Sequence, residues 1–247
     1  MRWTERQRAM LAEMGVRLFE SAPPTAEQIE PPAMAAAATD LDAAPQPAVA
    51  LARGEVSTLD WPALRAAVAG CRACALCESR TQTVFGVGHE HAHLMIVGEA
   101  PGEQEDLQGE PFVGQAGKLL DNMLRAIGLT RAEAPAERQV FIANTLKCRP
   151  PRNRNPDPAE TAKCAPFLER QIELVRPRLV LAMGRFAAQS LLASDEPIGK
   201  LRGRVHRWRD TPVVVTYHPA YLLRTLADKA RAWDDLCLAA SILEKAP

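Results

Sequence analysis

Four cysteines stand in two pairs whose types and spacing suit the binding of a metal group. Cys71 and Cys74 form a Cys-x2-Cys pair, and Cys148 and Cys164 lie 16 residues apart. Four thiolates from separate segments can ligate one Zn²⁺ or an iron–sulfur cluster. Structural zinc sites more often use two tight pairs, so the wide second pair favours a [4Fe–4S] cluster. Unrelated buried thiols are the alternative.

The other two cysteines fit this pattern less well. Cys71, Cys74 and Cys77 match the start of a ferredoxin run, but Thr81 stands where its fourth cysteine belongs. Cys237 lies on an apolar helical stripe, so we expect it in the core.

A second stretch with chemical potential runs from Leu94 to Gly114. Its apolar start, Leu94 to Val97, predicts a buried strand. The following segment Gly98-Glu-Ala-Pro-Gly102 predicts a turn whose backbone can approach a ligand closely. Acidic residues and then Phe112 come next. Because ligands bind at the carboxyl ends of strands in open α/β sheets, we expect a pocket here rather than only a solvated acidic loop.

Short apolar strands alternate with amphipathic helices along the chain. Strands are expected at residues 94–97, 140–143, 179–182 and 213–216, each followed by a helical pattern. Asp157, Pro158 and Glu160 predict a capped helix start, and that helix should end before Pro177. The alternation predicts an α/β fold with a central, mostly parallel four-stranded sheet and helices on both faces.

The composition divides the chain into three parts. Residues 1–20 carry a narrow apolar stripe of Leu11, Met14 and Leu18, and they form a candidate short helix. Residues 21–58 are rich in Ala and Pro and predict a disordered linker. Residues 59–247 should form the folded domain. The N-terminal segment is a candidate docking peptide for a protein partner, and the alternative is a dispensable extension.

Charge and hydropathy limit the class of protein. The net charge is zero, which argues against a globally basic nucleic-acid binder. Residues 1–60 carry 5 basic and 9 acidic side chains, and the remainder carries 25 basic and 21 acidic. No run is apolar enough to span a membrane, and the N-terminus leads into no signal core. We therefore expect a cytoplasmic, monomeric protein with reduced thiols.

Two segments without acidic residues hold much of the positive charge, as expected for phosphate contacts. Their alternative is two solvated surface loops. The basic residues are Lys147, Arg149, Arg152 and Arg154 in residues 140–154, and Lys200, Arg202, Arg204, Arg207 and Arg209 in residues 199–209.

Together these motifs resemble the family 4 uracil-DNA glycosylases, the iron–sulfur class of that superfamily. The resemblance runs from about Cys71 to the C-terminus and leaves residues 1–60 outside. The pieces that carry it, in order, are Cys71-x2-Cys74, Gly98-Glu-Ala-Pro-Gly102, Gly109-Glu-Pro-Phe-Val-Gly114, Asn144-Thr-Leu-Lys-Cys-Arg-Pro-Pro-Arg-Asn-Arg154, Cys164 and His218-Pro-Ala-Tyr-Leu-Leu-Arg224.

The resemblance implies a three-layer α/β/α sandwich and a DNA repair hydrolase. Such an enzyme flips uracil out of single- or double-stranded DNA and hydrolyses its N-glycosidic bond, which leaves an abasic site for base excision repair. The resemblance also assigns the four ligands of a [4Fe–4S] cluster to Cys71, Cys74, Cys148 and Cys164.

A flipped base needs a pocket with an aromatic face on which it stacks, a polar group that recognises its edge and a donor that stabilises the departing anion. Phe112 can stack on the base, Asn144 can hydrogen-bond its O4 and N3 edge, and His218 can donate to O2 as negative charge develops. The resemblance assigns these roles to the same three residues. Gly98 and Ala100 belong to the turn that brings backbone amides to the base and its phosphate.

The group that activates water is left open by the sequence. Some related families place an acidic residue or Asn where Ala100 stands, and alanine cannot act. Glu99, Glu105, Asp106 and Asn153 are the candidates, and we expect Glu99 to orient water or stabilise charge. Glu105 could instead line the C5 side of uracil and help to exclude thymine.

The sequence also predicts contacts to DNA and leaves two other classes of protein open. Arg149, Arg152, Arg154, Arg202 and Arg204 are expected to contact phosphates. One of Leu222, Leu223 and Arg224 should fill the hole left by the flipped base. The competing classes are a cluster-bearing DNA-binding or redox module without turnover, and a structural zinc protein with an unrelated pocket.

Overall fold

The computed structural model describes residues 53–245, so the N-terminal helix and most of the linker predicted above lie outside the described residues. The helices are α1 (Arg53–Val56), α2 (Trp61–Ala69), α3 (Leu76–Ser79), α4 (Glu103–Gln108), α5 (Gln115–Ala126), α6 (Pro158–Val175), α7 (Arg185–Leu192), α8 (Ile198–Leu201), α9 (Pro219–Leu222) and α10 (Lys229–Lys245). The strands are β1 (Val87–Gly88), β2 (Leu94–Gly98), β3 (Phe141–Asn144), β4 (Leu179–Met183), β5 (Val205–Trp208) and β6 (Thr211–Thr216). None of these helices is both long and apolar enough to cross a membrane.

The strands form one six-stranded sheet in the order β1-β3-β2-β4-β6-β5. The four central strands are parallel, as predicted, and the two edge strands pair antiparallel. The sequence predicted four strands because β1 has only two residues and β5 alternates exposed with half-buried side chains. Neither edge strand therefore has the continuous apolar run that marks a buried strand.

Helices cover both faces of the sheet and make the predicted three layers. On one face, Leu168 and Ile172 of α6 pack against strand residues such as Val180. On the other face, Leu124 of α5 and Leu236 of α10 pack against neighbours such as Leu181. Successive residues of a strand point to opposite faces, so one apolar run supplies both cores.

The fold begins earlier than the sequence suggested. The predicted linker included residues 53–58, but Val56 of α1 is 1% exposed and packs with Leu64, Val68 and Phe167. These residues belong to the folded domain because a single buried valine ties them to α2 and α6.

The start of α6 follows the predicted cap. Asp157 Oδ1 accepts a hydrogen bond from Ala159 N at 2.8 Å, and Glu160 Oε2 accepts one from Asp157 N at 3.1 Å. This reciprocal arrangement satisfies backbone donors of the first turn. The helix ends at Val175, two residues before Pro177, as the sequence predicted.

The orientation predicted for the last helix is wrong. The sequence placed Cys237 in the core, but Cys237 is exposed and Trp233, four residues earlier on the same helix, is 46% exposed, so this face of α10 points outward. The buried face of α10 instead contains Leu236, Ala239 and the fully buried Asp235. An apolar pattern misses this face because one of its central residues is a carboxylate paired with Arg202.

Val56→Ala tests whether α1 is part of the folded domain. Removing two buried methyl groups should lower the free energy of unfolding by about 1–3 kcal/mol. Urea unfolding of the full chain measures this change. Val205→Ala is the matched control, since Val205 is 49% exposed on an edge strand. Equal and small effects of the two substitutions would place α1 outside the cooperative unit.

Candidate active site and cysteine cavity

Four parallel strands end at the same edge of the sheet and open into one cleft. β2 ends at Gly98, β3 ends at Asn144, β4 leads to Gly184, and β6 ends two residues before His218. The cleft has a volume of about 780 Å³. Of the predicted site residues, Glu99, Ala100, Glu105, Phe112, Asn144, Asn153, Arg154, His218 and Arg224 line it.

Gly98 allows an aromatic ring and an amide to meet at the end of β2. A Cβ atom at this position would lie 2.7 Å from Phe112 Cζ and would also clash with Asn144 Oδ1. Any side chain at Gly98 would therefore push apart the two groups predicted to stack on the base and to read it. Phe112 and Asn144 are only 5% and 2% exposed.

Phe112 has the left-handed backbone conformation, with φ of 56°. This conformation is unfavourable for a bulky residue and persists only when its surroundings hold it. Glu105 provides that restraint, since its Oε1 accepts hydrogen bonds from Val113 N at 3.0 Å and Gly114 N at 3.2 Å. Its Oε2 accepts from Gly102 N at 3.1 Å. Glu105 therefore positions the Phe112 loop, a role that the sequence did not predict.

The other candidates for water activation differ in position. Asp106 is 2% exposed, and both its oxygens lie 3.0 Å from Thr81 N, so it supports the backbone and does not line the cleft. Glu99 lines the cleft, where burial raises the pKa of its carboxyl and Arg185 partly opposes that shift. Asn153 also lines the cleft, but its Oδ1 accepts a hydrogen bond from Arg149 Nε at 2.8 Å.

His218 is held as a neutral imidazole. Its Nδ1 accepts a hydrogen bond from Ala220 N at 3.2 Å at the start of α9, so the neutral ring carries its proton on Nε2. Burial lowers the pKa of the imidazole to about 4, with Arg224 adding to the shift and Glu105 opposing it. The ring stacks on Phe112 with 5.3 Å between centroids. A neutral hydrogen-bond donor therefore lies beside the aromatic platform.

Five cysteines line one cavity at the far side of the Asn144–Cys148 turn. They are the four predicted ligands Cys71, Cys74, Cys148 and Cys164, together with Cys77. The sequence left Cys77 outside the ligand set, yet the fold places it on the same wall. No three His, Cys, Asp or Glu side chains in residues 53–245 are grouped closely enough to hold a single metal ion.

The chemistry of the cavity suits thiolate ligands of a larger group. Arg80 NH1 donates to Cys148 Sγ at 3.0 Å, and Lys147 N donates to Cys164 Sγ at 3.3 Å. Burial raises the pKa of the Cys164 thiol to about 12 and also raises the pKa values of Cys74 and Cys148. Such thiols become thiolates only beside a strong positive charge, which a bound metal group supplies. The donor set therefore fits an iron–sulfur cluster.

The basic residues of the first segment, 140–154, differ in exposure: some lie at the rim of the cleft and one lies in the interior. Arg154 is 45% exposed and lines the cleft, although its guanidinium also makes two bonds to Glu160 at 2.6 and 2.9 Å. Arg152 is exposed, and Arg149 contacts Asn153 beside the cleft. Lys147, which the sequence grouped with these arginines, is 2% exposed and cannot reach a phosphate.

Two of the residues predicted to contact DNA, Arg202 and Leu222, are mostly buried and are not proposed as contacts below. Arg202 is 14% exposed and forms an ion pair at 3.0 Å with the fully buried Asp235, which ties the loop after α8 to α10. Leu222 is 1% exposed and cannot enter DNA. Leu223, which is 42% exposed, and the exposed Arg224 remain as wedge candidates. Arg204 is 56% exposed and pairs with Glu196 at 3.3 Å, so it remains accessible.

Sequence reasoning missed several residues at one end of the cleft. Arg185 and Phe186 begin α7 and line the cleft, with the guanidinium 4.4 Å from the ring centroid. Tyr217 and Tyr221, on either side of His218, line it too. Gly184, two residues after the strand predicted at 179–182, was the available signal, because that strand had to end at the same edge.

The fold and the cleft define an α/β protein with a ligand site at the carboxyl edge of a parallel sheet. Comparison with known proteins gives the family. Residues 85–237 match the family described as the Uracil DNA glycosylase superfamily.

Curated relatives agree with that match. A type-4 uracil-DNA glycosylase of Archaeoglobus fulgidus is 46% identical over 164 residues, which cover 63% of this chain and 79% of that protein. The type-4 enzyme of Thermotoga maritima is 40% identical over 179 residues, which cover 71% and 90%. The type-4 enzyme of Sulfurisphaera tokodaii is 42% identical over 165 residues, which cover 63% and 72%. The chain belongs to the uracil-DNA glycosylase superfamily and, within it, to the type-4 group.

The lowered pKa of His218 predicts a pH dependence of stability. The folded protein binds this proton only near pH 4, whereas the ordinary value is 6.5. The unfolded chain therefore binds more protons between these values, so His218 makes the fold less stable as the pH falls from about 6.5 to about 4. His218→Asn keeps a side-chain acceptor for the Ala220 amide but does not titrate. Urea unfolding at a series of pH values should show wild type losing more stability than the variant, and parallel curves would contradict the buried neutral imidazole.

Proposed function

We propose that this protein excises uracil from DNA by hydrolysing the N-glycosidic bond, leaving an abasic site for base excision repair. The observation that carries the proposal is the convergence of Phe112, Asn144 and His218 in one cleft, where Gly98 leaves room for Phe112 and Asn144 to meet and His218 stacks on Phe112. The type-4 uracil-DNA glycosylases named above support the same activity.

Uracil recognition follows from the chemistry of Asn144. Its amide can donate to O4 and accept from N3–H, which matches uracil at both positions. In the same orientation, cytosine would oppose donor to donor and acceptor to acceptor. Each mispaired buried group costs about 1–3 kcal/mol. The Phe112 ring, fixed by its loop, provides the stacking face for the flipped base.

Bond cleavage places negative charge on the departing base. The C1′–N1 bond breaks with its electron pair moving to N1, and the charge spreads to O2. His218 donates its Nε2 proton in a hydrogen bond to O2 and stays neutral, so no proton transfer to the base is required. A preorganised donor of this kind contributes on the order of 3–4 kcal/mol to the transition state.

Water then adds to C1′ and releases a proton to solvent, and the departed uracil anion takes up a proton from solvent, so that the products are a C1′ hydroxyl and neutral uracil. Glu99 is our candidate for orienting this water, because it is a carboxylate on the cleft wall whose oxygens are not committed to a backbone loop as those of Glu105 are. Asn153 is the second candidate. Glu105 acts by holding the Phe112 loop.

DNA would lie across the rim of the cleft. Arg149, Arg152, Arg154 and Arg204 are the proposed phosphate contacts, and Arg185 joins them from the start of α7. Leu223 is the proposed wedge that fills the space left by the flipped nucleotide, with Arg224 beside it. Because every such contact is to backbone or to an unstacked base, both single- and double-stranded DNA are proposed substrates.

A [4Fe–4S] cluster is the proposed cofactor, held by Cys71, Cys74, Cys148 and Cys164. Such a cluster takes one thiolate for each iron, so its four ligands need not meet at one ion. When bound, it supplies a link between separate chain segments, and the hydrolysis itself needs no electron. A cytoplasmic monomer whose residues 1–20 dock a protein partner also remains a proposal.

A uracil excision assay tests the activity. Single-turnover cleavage of a uracil-containing oligonucleotide, followed by strand scission at the abasic site, should proceed with wild type. Asn144→Ala should lose most of this rate while binding the DNA nearly as well, since the amide reads the base and not the backbone. Asn144→Asp should be equally impaired on uracil because a carboxylate cannot donate to O4. A wild-type rate in Asn144→Ala would remove Asn144 as the reader.

Colour and iron content test the cofactor. The protein purified in air should be brown and absorb at about 400 nm, as expected for a cluster with cysteine ligands. Cys164→Ala should lose colour and iron and unfold at lower urea concentration. Cys237→Ala, at an exposed cysteine on α10, should retain all three properties. Stoichiometric zinc with no iron would instead support the structural zinc alternative.

A further inference from the structure

Lys147 is a buried lysine that reaches back to the residue proposed to read the base. Its Nζ lies 2.7 Å from the backbone oxygen of Asn144 and 2.6 Å from Gln171 Oε1. Gln171 has no exposed surface, and its Nε2 donates to the backbone oxygen of Phe85 at 2.9 Å. The amine therefore joins the end of β3 to the centre of α6.

The backbone around Lys147 is restrained as closely as its side chain. Its carbonyl accepts a hydrogen bond from Val84 N at 2.8 Å, and its own N–H donates to Cys164 Sγ. In the peptide group between Asn144 and Thr145, the carbonyl accepts from Lys147 Nζ, and Thr145 N donates to the Gly98 carbonyl at 3.0 Å. Both the carbonyl and the N–H of this peptide group are therefore hydrogen-bonded, which fixes the backbone next to the Asn144 side chain.

Burying an amine is costly unless hydrogen bonds replace its hydration. Lys147 satisfies that requirement with two acceptors, and an amine donates to both of them whether or not it carries the extra proton. The two bonds are therefore independent of its charge. Apolar residues could fill the same space, but they could not fix the orientation of the Asn144 carbonyl.

We propose that Lys147 is a positioning residue for uracil recognition, which holds the Asn144 amide in register with the base by donating a hydrogen bond to the Asn144 carbonyl. The inference rests on the proposed uracil-excising function and deepens it. We therefore expect replacement of Lys147 to impair recognition of uracil and to leave binding to the DNA backbone unchanged. Misplacing a reacting or recognising group by about 1 Å costs on the order of 100-fold in rate.

The test compares two substitutions that damage the same buried link at different points. Lys147→Met removes the donor to Asn144, whereas Gln171→Leu leaves that bond in place and breaks only the far end. Lys118→Met, at an exposed lysine on α5, controls for the loss of charge. Four quantities are measured on the full chain: the single-turnover rate on a uracil oligonucleotide, inhibition by free uracil, affinity for the same oligonucleotide with thymine, and urea unfolding.

Lys147→Met should weaken inhibition by free uracil and slow excision by about 10- to 100-fold. Its affinity for the thymine oligonucleotide should match that of wild type. Gln171→Leu should lose comparable stability but keep inhibition by uracil close to wild type. Lys118→Met should be unchanged in all four measurements.

Equal shifts in uracil inhibition for Lys147→Met and Gln171→Leu would show that the link only stabilises the fold, and would overturn the proposal. Wild-type inhibition by uracil in folded Lys147→Met would overturn it as well. If Lys147→Met does not fold, Lys147→Leu, which also removes the donor to the Asn144 carbonyl, is measured in the same way with the same two outcomes. Failure of wild type to excise uracil would refute the proposed function itself.

Discussion

The turn from Asn144 to Cys148 is the part of the structure on which the two candidate sites both depend. Asn144 ends a buried strand and lines the cleft, and Cys148, four residues later, lines the cysteine cavity. Thr145 and Leu146 donate backbone hydrogen bonds to Gly98 and Glu99, at 3.0 and 3.1 Å. These bonds continue the contact between the β2 and β3 segments beyond the ends of the strands. A displacement of this turn would move the proposed base-recognising residue and a proposed cluster ligand together.

Carboxylates provide much of the remaining support, and they do so as hydrogen-bond acceptors. Glu105 holds the Phe112 loop, Asp106 holds the Thr81 amide, and Asp235 holds Arg202 and the amide of Gly203. A carboxylate can accept several hydrogen bonds at once, so one side chain can satisfy a whole turn of backbone donors. Glu105 and Asp106 of the acidic stretch are used inside the protein in this way, whereas Glu103 and Glu110 stay exposed.

The sequence predicted the four central strands and the main helices because their signals are local. A buried parallel strand is a continuous apolar run, and the start of α6 depends on Asp157 and Glu160, three residues apart. The motifs at the carboxyl ends of strands also led to the cleft, since parallel strands end at one edge. The edge strands β1 and β5 escaped prediction because neither contains an apolar run.

What the sequence by itself determined was therefore the class of fold, the strand ends and the residue types that meet there. Only the tertiary structure decided which side chains are free to act. The ion pair with Asp235, 33 residues away in the sequence, keeps Arg202 inside the protein. The hydrogen bond to Gln171, 24 residues away, does the same for Lys147. Cys77 joins the cysteine cavity and Cys237 leaves the core for the same reason. Burial depends on contacts between distant segments, and no local pattern of residue types records them.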